Sequence, residues 1–125
     1  MIKKVLIVDD SLFMRMVLKK FLSDRYDFEF TEAKDGLEAL EKFKTFQPDL
    51  TFLDLTMPVM DGFQALDEMK KLHPDAVIIV ATADVQEKVQ VRVMKAGALT
   101  VLPKPPTKES VEAAVLKAME VKIEV

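Results

Sequence analysis

Cysteine is absent from this 125-residue sequence, and His73 is its single histidine. Without thiols there is no disulfide framework, no thiolate zinc site and no cysteine nucleophile. One histidine cannot build a histidine-based metal cage, and it argues against a histidine-dependent catalytic triad. We therefore expect the chemistry of the chain to depend on Asp, Glu, Lys, Ser and Thr side chains.

The sequence also lacks an excess of basic residues and a long apolar segment. Its 18 basic and 21 acidic residues give a net charge of -3, which does not favour nucleic-acid binding. The apolar run 5–8 is far too short for a signal peptide, and no run is long enough to span a bilayer. We therefore expect a soluble, cytoplasmic protein with no nucleic-acid partner and no membrane partner.

Strand-sized apolar runs alternate with segments of helical periodicity along the chain. The predicted strands are residues 5–8, 28–31, 50–53, 76–81 and 101–102. The predicted helices carry the apolar faces Phe13, Met16, Val17 and Phe21; Leu37, Leu40 and Phe43; Phe63, Leu66 and Met69; Val85, Val89 and Val93; and Val111, Ala114, Val115, Ala118 and Met119. This alternation predicts an α/β fold with a parallel sheet covered on both faces. The run 28–31 and the run before Pro103 are expected nearer the edges.

Polar side chains follow the predicted strands where each strand ends. Asp9 and Asp10 follow the first strand, Asp54 the third, Thr82 the fourth and Lys104 the fifth. Because the carboxyl ends of parallel strands meet at one edge of the sheet, we expect these groups to lie together. Clustered carboxylates without histidine or cysteine favour a hard cation, Mg²⁺ or Mn²⁺.

This set of groups is suited to a phosphoryl group. A divalent cation and Lys104 can neutralise phosphoryl oxygens, while a carboxylate can act as the nucleophile. Asp54 is the best nucleophile candidate because it stands alone at the end of a central strand, whereas Asp9 and Asp10 form a pair better suited to a metal.

Five short motifs are distributed over the chain: Val8-Asp-Asp-Ser11, Asp54-Leu-Thr-Met-Pro-Val-Met-Asp-Gly62, Ala81-Thr-Ala83, Ala96-Gly97 and Lys104-Pro105. Together they resemble the motifs of a response-regulator receiver domain of the single-domain CheY-like kind. Each motif alone is weakly specific, but five in register are highly specific. The resemblance implies a doubly wound, flavodoxin-like sheet of order 2-1-3-4-5 with five helices. It also implies a single receiver domain over 1–125 with no output domain.

The resemblance assigns roles to the residues at the strand ends. Asp54 would accept a phosphoryl group from a histidine kinase, Lys104 would contact that group, and Thr82 would move to hydrogen-bond it. Magnesium would be bound by Asp10, Asp54 and the backbone carbonyl of Thr56, with Asp9 acting through water. The Lys104–Pro105 peptide would be cis. The chain would be no enzyme beyond its own phosphorylation and dephosphorylation.

The output surface is also implied by the resemblance, although the sequence departs from the family at Val101, Pro103 and Pro106. Val101 stands where the family places the Tyr or Phe that couples to the threonine, and valine cannot provide an aromatic rotamer switch. On the fourth helix, Lys88, Arg92 and Lys95 form a basic stripe on the family's usual docking face. The alternative for that stripe is an ordinary solvated helix face.

The resulting hypothesis is a phosphorylation-activated regulator of a two-component system, of the chemotaxis type. Its partners would be a histidine kinase, a downstream protein (a motor, an adaptor or a phosphotransfer protein) and a phosphatase. Alternatives are a phosphorelay shuttle, a receiver-like interaction module that needs no phosphate, and a haloacid-dehalogenase-like phosphatase. That phosphatase class expects Asp-x-Asp after its first strand, whereas the acids here are adjacent.

Overall fold

Strands and helices alternate strictly in the computed structural model, which describes residues 1–122. The strands are β1 (Lys4–Val8), β2 (Glu29–Ala33), β3 (Leu50–Asp54), β4 (Ile78–Thr82) and β5 (Thr100–Pro103). The helices are α1 (Leu12–Ser23), α2 (Gly36–Phe46), α3 (Gly62–Leu72), α4 (Glu87–Lys95) and α5 (Lys108–Val121). All ten predicted elements are present, including the valine-rich fourth helix, α4. Within residues 1–122, no helix combines the length and apolarity that crossing a bilayer requires.

The five strands form one parallel sheet in the order β2-β1-β3-β4-β5. The predicted order 2-1-3-4-5 is therefore confirmed, with β3 in the centre and β2 and β5 at the edges. The strand order reverses between β1 and β3. The chain leaves β1 toward one face of the sheet and leaves β3 toward the other, which opens a crevice at the carboxyl ends of these two strands. Ligands of doubly wound sheets bind at such a crevice.

Two apolar layers cover the sheet. One layer packs α2, α3 and α4 against it through residues such as Leu40, Leu66 and Val93. The other packs α1 and α5 against the opposite face through Leu18 and Val115. The inner strands are buried on both faces, which explains why their sequences are continuously apolar instead of alternating.

The predicted apolar face of α1 is wrong at Phe13 and Met16, whereas Phe21 packs against the core as predicted. Phe13 and Met16 are 71% and 59% exposed, whereas Leu18 and Leu22 are buried. This helix is apolar on more than one stripe, and helical periodicity alone does not say which stripe meets the sheet. Leu37 on α2 and Val85 before α4 are also exposed, contrary to prediction.

Side-chain caps start four of the helices directly after the strand-end loops. Ser11, Asp35, Asp61 and Thr107 each accept a hydrogen bond from the backbone N–H three residues later, which satisfies an otherwise unpaired donor. The N-cap of α4, Gln86, makes no side-chain hydrogen bond to the helix, and Gly97 follows the helix at a φ of +105°. The start of α4 is thus the least fixed of the five.

Candidate functional site

The predicted site residues meet in one cavity at the carboxyl ends of the strands. The cavity has a volume of about 350 Å³ and is lined by Asp9, Asp10, Ser11, Met14, Asp54, Thr56, Thr82, Ala83, Asp84 and Lys104. A larger cavity, of about 560 Å³, includes Lys70 and Gly97. The chemistry of the lining, and not the size, singles out the smaller cavity.

The three aspartates converge. Each of Asp9, Asp10 and Asp54 contributes one carboxylate oxygen, and these three oxygens lie within 4.8 Å of one another. Asp9 and Asp54 are buried, whereas Asp10 is exposed. The carboxylate of Asp9 is held through both oxygens, since the Ser11 N–H donates to Oδ1 at 2.9 Å and Lys104 donates to Oδ2 at 2.6 Å.

Lys104 lies between the buried acids. Its Nζ is 2.6 Å from Asp9 Oδ2 and 3.0 Å from Asp54 Oδ1. The backbone places it there, because the Lys104 N–H donates to the Thr82 carbonyl at 2.9 Å. The peptide bond to Pro105 is cis, as the resemblance implied.

Burial and charge shift the titration of this group of residues. Burial raises the pKa of the Asp54 carboxyl, and the neighbouring Asp9 carboxylate raises it further. The Lys104 ammonium and the Thr56 N–H oppose these effects only in part. Burial lowers the pKa of Lys104, but its bonds to Asp9 and Asp54 outweigh burial and leave that pKa above its usual range. Lys104 therefore stays charged, and Asp54 is a weaker acid than an exposed aspartate.

The donor set fits a hard divalent cation. Three carboxylates offer oxygen atoms within a small space, and Thr56 lines the same cavity. Oxygen donors of this kind suit Mg²⁺ or Mn²⁺, which retain several waters when bound. The site could therefore hold such an ion, as predicted from the sequence.

Thr82 is buried at the end of β4, and its hydroxyl already has a partner. Its Oγ accepts a hydrogen bond from the Asp84 N–H at 3.0 Å, which closes the loop toward α4. Val101 is half-buried and packs against the layer that contains Val89 and Ala96. The roles of Thr82 and Val101 in switching remain predictions.

The predicted basic stripe lies on the exposed side of α4, outside the cavity. Lys88, Arg92 and Lys95 are all exposed. The guanidinium of Arg92, however, stacks 3.8 Å from the ring centroid of Phe63 on α3. Such stacking is typical of arginine over an aromatic face. Arg92 therefore links α3 to α4 in addition to any role as a surface cation.

Sequence reasoning missed two residues that shape the site. Gly62 was assigned to a motif without a physical role, yet a Cβ atom there would lie 2.1 Å from the backbone oxygen of Asp54. Arg15 was also given no role, although its guanidinium contacts the backbone of Asp9. The available signal for Arg15 is its position four residues, or about one helical turn, after the Ser11 N-cap.

Comparisons with known proteins agree with this fold. A model of the response regulator receiver domain family matches residues 5–116. The chemotaxis protein CheY of Halobacterium salinarum is 41% identical over 115 residues, covering 92% of this chain and 95% of that protein. Its counterpart in Thermotoga maritima is 42% identical over 103 residues, with coverage of 82% and 86%.

A solved structure shows the same likeness. The chain superposes with a TM-score of 0.89 and 32% identity on a structure of the CheX-CheY-BeF3-Mg²⁺ complex from Borrelia burgdorferi, covering 98% of this chain and 90% of that one.

The fold and the acid-lysine site define a receiver, and the chain belongs to the response regulator receiver domain family. Receivers of this family generally act in signalling. The family shown is therefore the receiver family, and not the haloacid-dehalogenase class considered above.

Proposed function

We propose that this chain is a phosphorylation-activated response regulator of chemotaxis-type two-component signalling, with Asp54 as the acceptor of a phosphoryl group from a histidine kinase. The observation that carries the proposal is the environment of Asp54. Its carboxylate is buried at the end of the central strand, 3.0 Å from Lys104 Nζ and beside Asp9 and Asp10. The CheY relatives support the chemotaxis assignment.

The proposed reaction transfers one phosphoryl group to a carboxylate oxygen. An Asp54 oxygen attacks the phosphorus of a phosphohistidine as the P–N bond breaks. The bonding electron pair returns to the imidazole nitrogen, and the product is an aspartyl phosphate. The Lys104 ammonium, which already lies 3.0 Å from Asp54 Oδ1, would stabilise negative charge on the phosphoryl oxygens. Attack of water on the same phosphorus then returns the carboxylate and releases phosphate.

Asp10, Asp54 and the Thr56 carbonyl would hold the divalent cation, with Asp9 acting through water. Mg²⁺ or Mn²⁺, when bound, supplies positive charge that neutralises phosphoryl oxygens. Asp9 keeps its Oδ1 engaged with the Ser11 N–H and its Oδ2 with Lys104, which is consistent with an indirect role. Asp10, which is exposed, offers its oxygen toward the cavity.

Switching follows from a change of partners for Lys104 and Thr82. A phosphoryl group on Asp54 would draw the Lys104 ammonium and turn the Thr82 hydroxyl away from the Asp84 N–H. One hydrogen bond to a charged group contributes about 1.5–3 kcal/mol, whereas a shift from 1:99 to 99:1 needs about 5.5 kcal/mol. Thr82 alone is therefore insufficient, and Lys104 and backbone N–H groups must contribute.

The proposed output is a change at the α4 face. Because Val101 cannot act as an aromatic switch, we infer that movement of the loop 83–86 carries the signal to α4. The downstream partner would be a motor, an adaptor or a phosphotransfer protein that meets Lys88, Arg92 and Lys95. The B. burgdorferi relative in complex with CheX supports a protein as the partner.

The test is labelling with a small acyl phosphate in the presence of Mg²⁺, followed by mass spectrometry and mapping. We expect one added phosphoryl group on Asp54, no labelling of Asp54→Asn, and none after chelation of the metal. The matched control is Asp75→Asn, which removes the same charge at an exposed position that does not line the cavity around Asp54 and should label like the wild type. Labelling that persists in Asp54→Asn would contradict the proposal.

A further inference from the structure

Arg15 is an arginine near the start of α1 whose side chain points inward. Its side chain is only 13% exposed, although arginine is rarely buried without specific partners. The guanidinium donates from Nη1 to the backbone carbonyl of Asp9 and from Nε to Glu32 Oε1 at 2.9 Å. One side chain thus joins the end of β1, the first turns of α1 and the edge strand β2.

The contact with Asp9 completes a set of restraints on one residue. The Asp9 N–H donates to the Ala33 carbonyl on β2 at 3.0 Å, and its carbonyl accepts from Arg15. Its carboxylate is held by the Ser11 N–H and by Lys104. Among these restraints, the bond from Arg15 acts on the carbonyl of the peptide that joins Asp9 to Asp10. The orientation of that peptide determines the direction in which Asp10 leaves the backbone.

Arginine suits this position for two physical reasons. Its planar fork can donate to two acceptors in fixed directions, which a lysine ammonium on a flexible stem cannot reproduce. Its charge is also permanent. Glu32 anchors the other side of the fork, and it is itself paired with Lys19 at 3.5 Å. The bond to Glu32 therefore fixes the orientation of the guanidinium that contacts Asp9.

We propose that Arg15 is a positioning residue for the candidate cation site, and that it fixes the Asp9–Asp10 peptide so that both carboxylates face Asp54. The inference rests on the proposed function only in taking this acid cluster as the functional site. Residues that orient metal ligands typically change metal affinity by about 10–100-fold when replaced. Arg15 reaches the ligands through the backbone, so we expect an effect at the lower end of that range.

The test measures Mn²⁺ binding by electron paramagnetic resonance. We expect Arg15→Gln to weaken binding about tenfold and the charge-conserving Arg15→Lys to weaken it less. The matched control is Arg25→Gln, which removes the same charge beyond the far end of α1, where Arg25 pairs with Glu112 at 3.4 Å. Coulomb's law alone predicts the opposite sign for Arg15→Gln, because removing a cation beside three carboxylates should strengthen cation binding.

A second measurement separates positioning from loss of folded protein. In the acyl-phosphate assay, the Mg²⁺ concentration that gives half-maximal labelling of Asp54 should rise about tenfold in Arg15→Gln. The labelling at saturating Mg²⁺ should match the wild type. Partial unfolding would instead lower the labelling of Asp54 at every Mg²⁺ concentration, including saturating Mg²⁺.

The outcomes distinguish this inference from the proposed function. Mn²⁺ affinity in Arg15→Gln equal to or tighter than in Arg25→Gln would overturn the positioning role, whether or not Asp54 is labelled. Wild-type protein that binds Mn²⁺ but is never labelled would overturn the proposed function and leave the binding comparison intact. If Arg15→Gln does not fold, Arg15→Lys decides, and unchanged affinity in that variant overturns the inference.

Discussion

Individual residues in this receiver acquire their properties from burial and backbone contacts. Asp9, Asp10 and Asp54 are chemically identical side chains, yet Asp10 is exposed, Asp9 is bonded through both oxygens, and Asp54 contacts Lys104. The backbone also restricts which residue can occupy position 62. Only a residue without a Cβ atom, as in Gly62, fits against the Asp54 carbonyl. The proposed roles of nucleophile and metal ligand therefore depend on the position of each residue in the fold and not on its chemical type.

Val59 is the most strained residue of the loop that follows Asp54. It has a φ of +69° and is 78% exposed, and a β-branched residue in the left-handed region is unfavourable. We expect Val59→Gly to raise the free energy of unfolding by about 1 kcal/mol, since the relief of strain of about 1–2 kcal/mol exceeds the entropy cost of glycine. Urea denaturation at neutral pH measures this difference.

The control for Val59→Gly is Val85→Gly. Val85 is also an exposed loop valine, at 48%, but it is not among the positive-φ residues of the described chain. Glycine there should lower stability by about 0.5–1 kcal/mol. A Val59→Gly protein less stable than the wild type would show that the positive φ carries no strain.

At the scale of elements, the register of β1 against β3 is supported by one carboxylate. Asp49, just before β3, accepts hydrogen bonds at Oδ2 from the Lys3 N–H at 2.8 Å and the Lys4 N–H at 2.9 Å, and its own N–H donates to the Lys4 carbonyl. Burial alone would raise the pKa of Asp49, but the bonds from Lys4 and Lys3 dominate and hold it below the usual value.

Asp49→Ala should therefore destabilise the fold in a pH-dependent way. A pKa that is lower in the folded state contributes stability above the unfolded-state pKa, and this contribution is lost as the pH falls through the folded-state pKa. We expect a loss of about 1–2 kcal/mol at pH 7 that narrows under acidic conditions, measured by urea denaturation across pH. Asp75→Ala, at an exposed loop position, is the control. A pH-independent loss would contradict the assigned role of the charge.

The helix α4 is the element best suited to move. Val93 is its one buried residue among the described positions of that helix, and Gln86 provides no side-chain cap. The stack of Arg92 on Phe63 joins α4 to α3, whose N-terminus follows the loop after Asp54. Few buried contacts and an uncapped start are features of low local stability, so we expect a small change in the loop 83–86 to shift this helix.

At the scale of the whole molecule, Thr82 should couple the site to α4. We expect Thr82→Ala to bind beryllofluoride, a chemical mimic of the phosphoryl group, together with Mg²⁺ at Asp54. The resulting amide shift changes over Glu87–Lys95 should be reduced, because removing a hydrogen bond of about 1.5–3 kcal/mol lowers the active-to-resting ratio about tenfold or more. Two-dimensional NMR measures both binding and shift.

The matched control is Thr51→Ala, which truncates another buried threonine, on β3 three residues before Asp54. It should respond to beryllofluoride like the wild type. Full α4 shift changes in Thr82→Ala would show that the coupling does not use the hydroxyl.

Much of the fold and of the site's composition could be predicted because both depend on local patterns. Continuous apolar runs that alternate with segments of helical periodicity predict a parallel sheet. Such a sheet brings the residues that follow its strands to one edge, namely Asp9, Asp10, Asp54, Thr82 and Lys104. The strand order came from the family resemblance, since alternation alone does not order the strands. The spacing of the motifs carried that resemblance.

Other features required the folded chain, because they depend on neighbours distant in sequence. The stripe of α1 that faces the core is selected by α5 and the sheet, so Leu18 is buried while Phe13 is exposed. The raised pKa of Asp54 needs burial beside Asp9 and Lys104, and the stack of Arg92 on Phe63 needs α3 beside α4. Local patterning thus defined which groups gather at the sheet edge. Packing alone decided which of them are buried, paired or exposed, because burial and charge act through space.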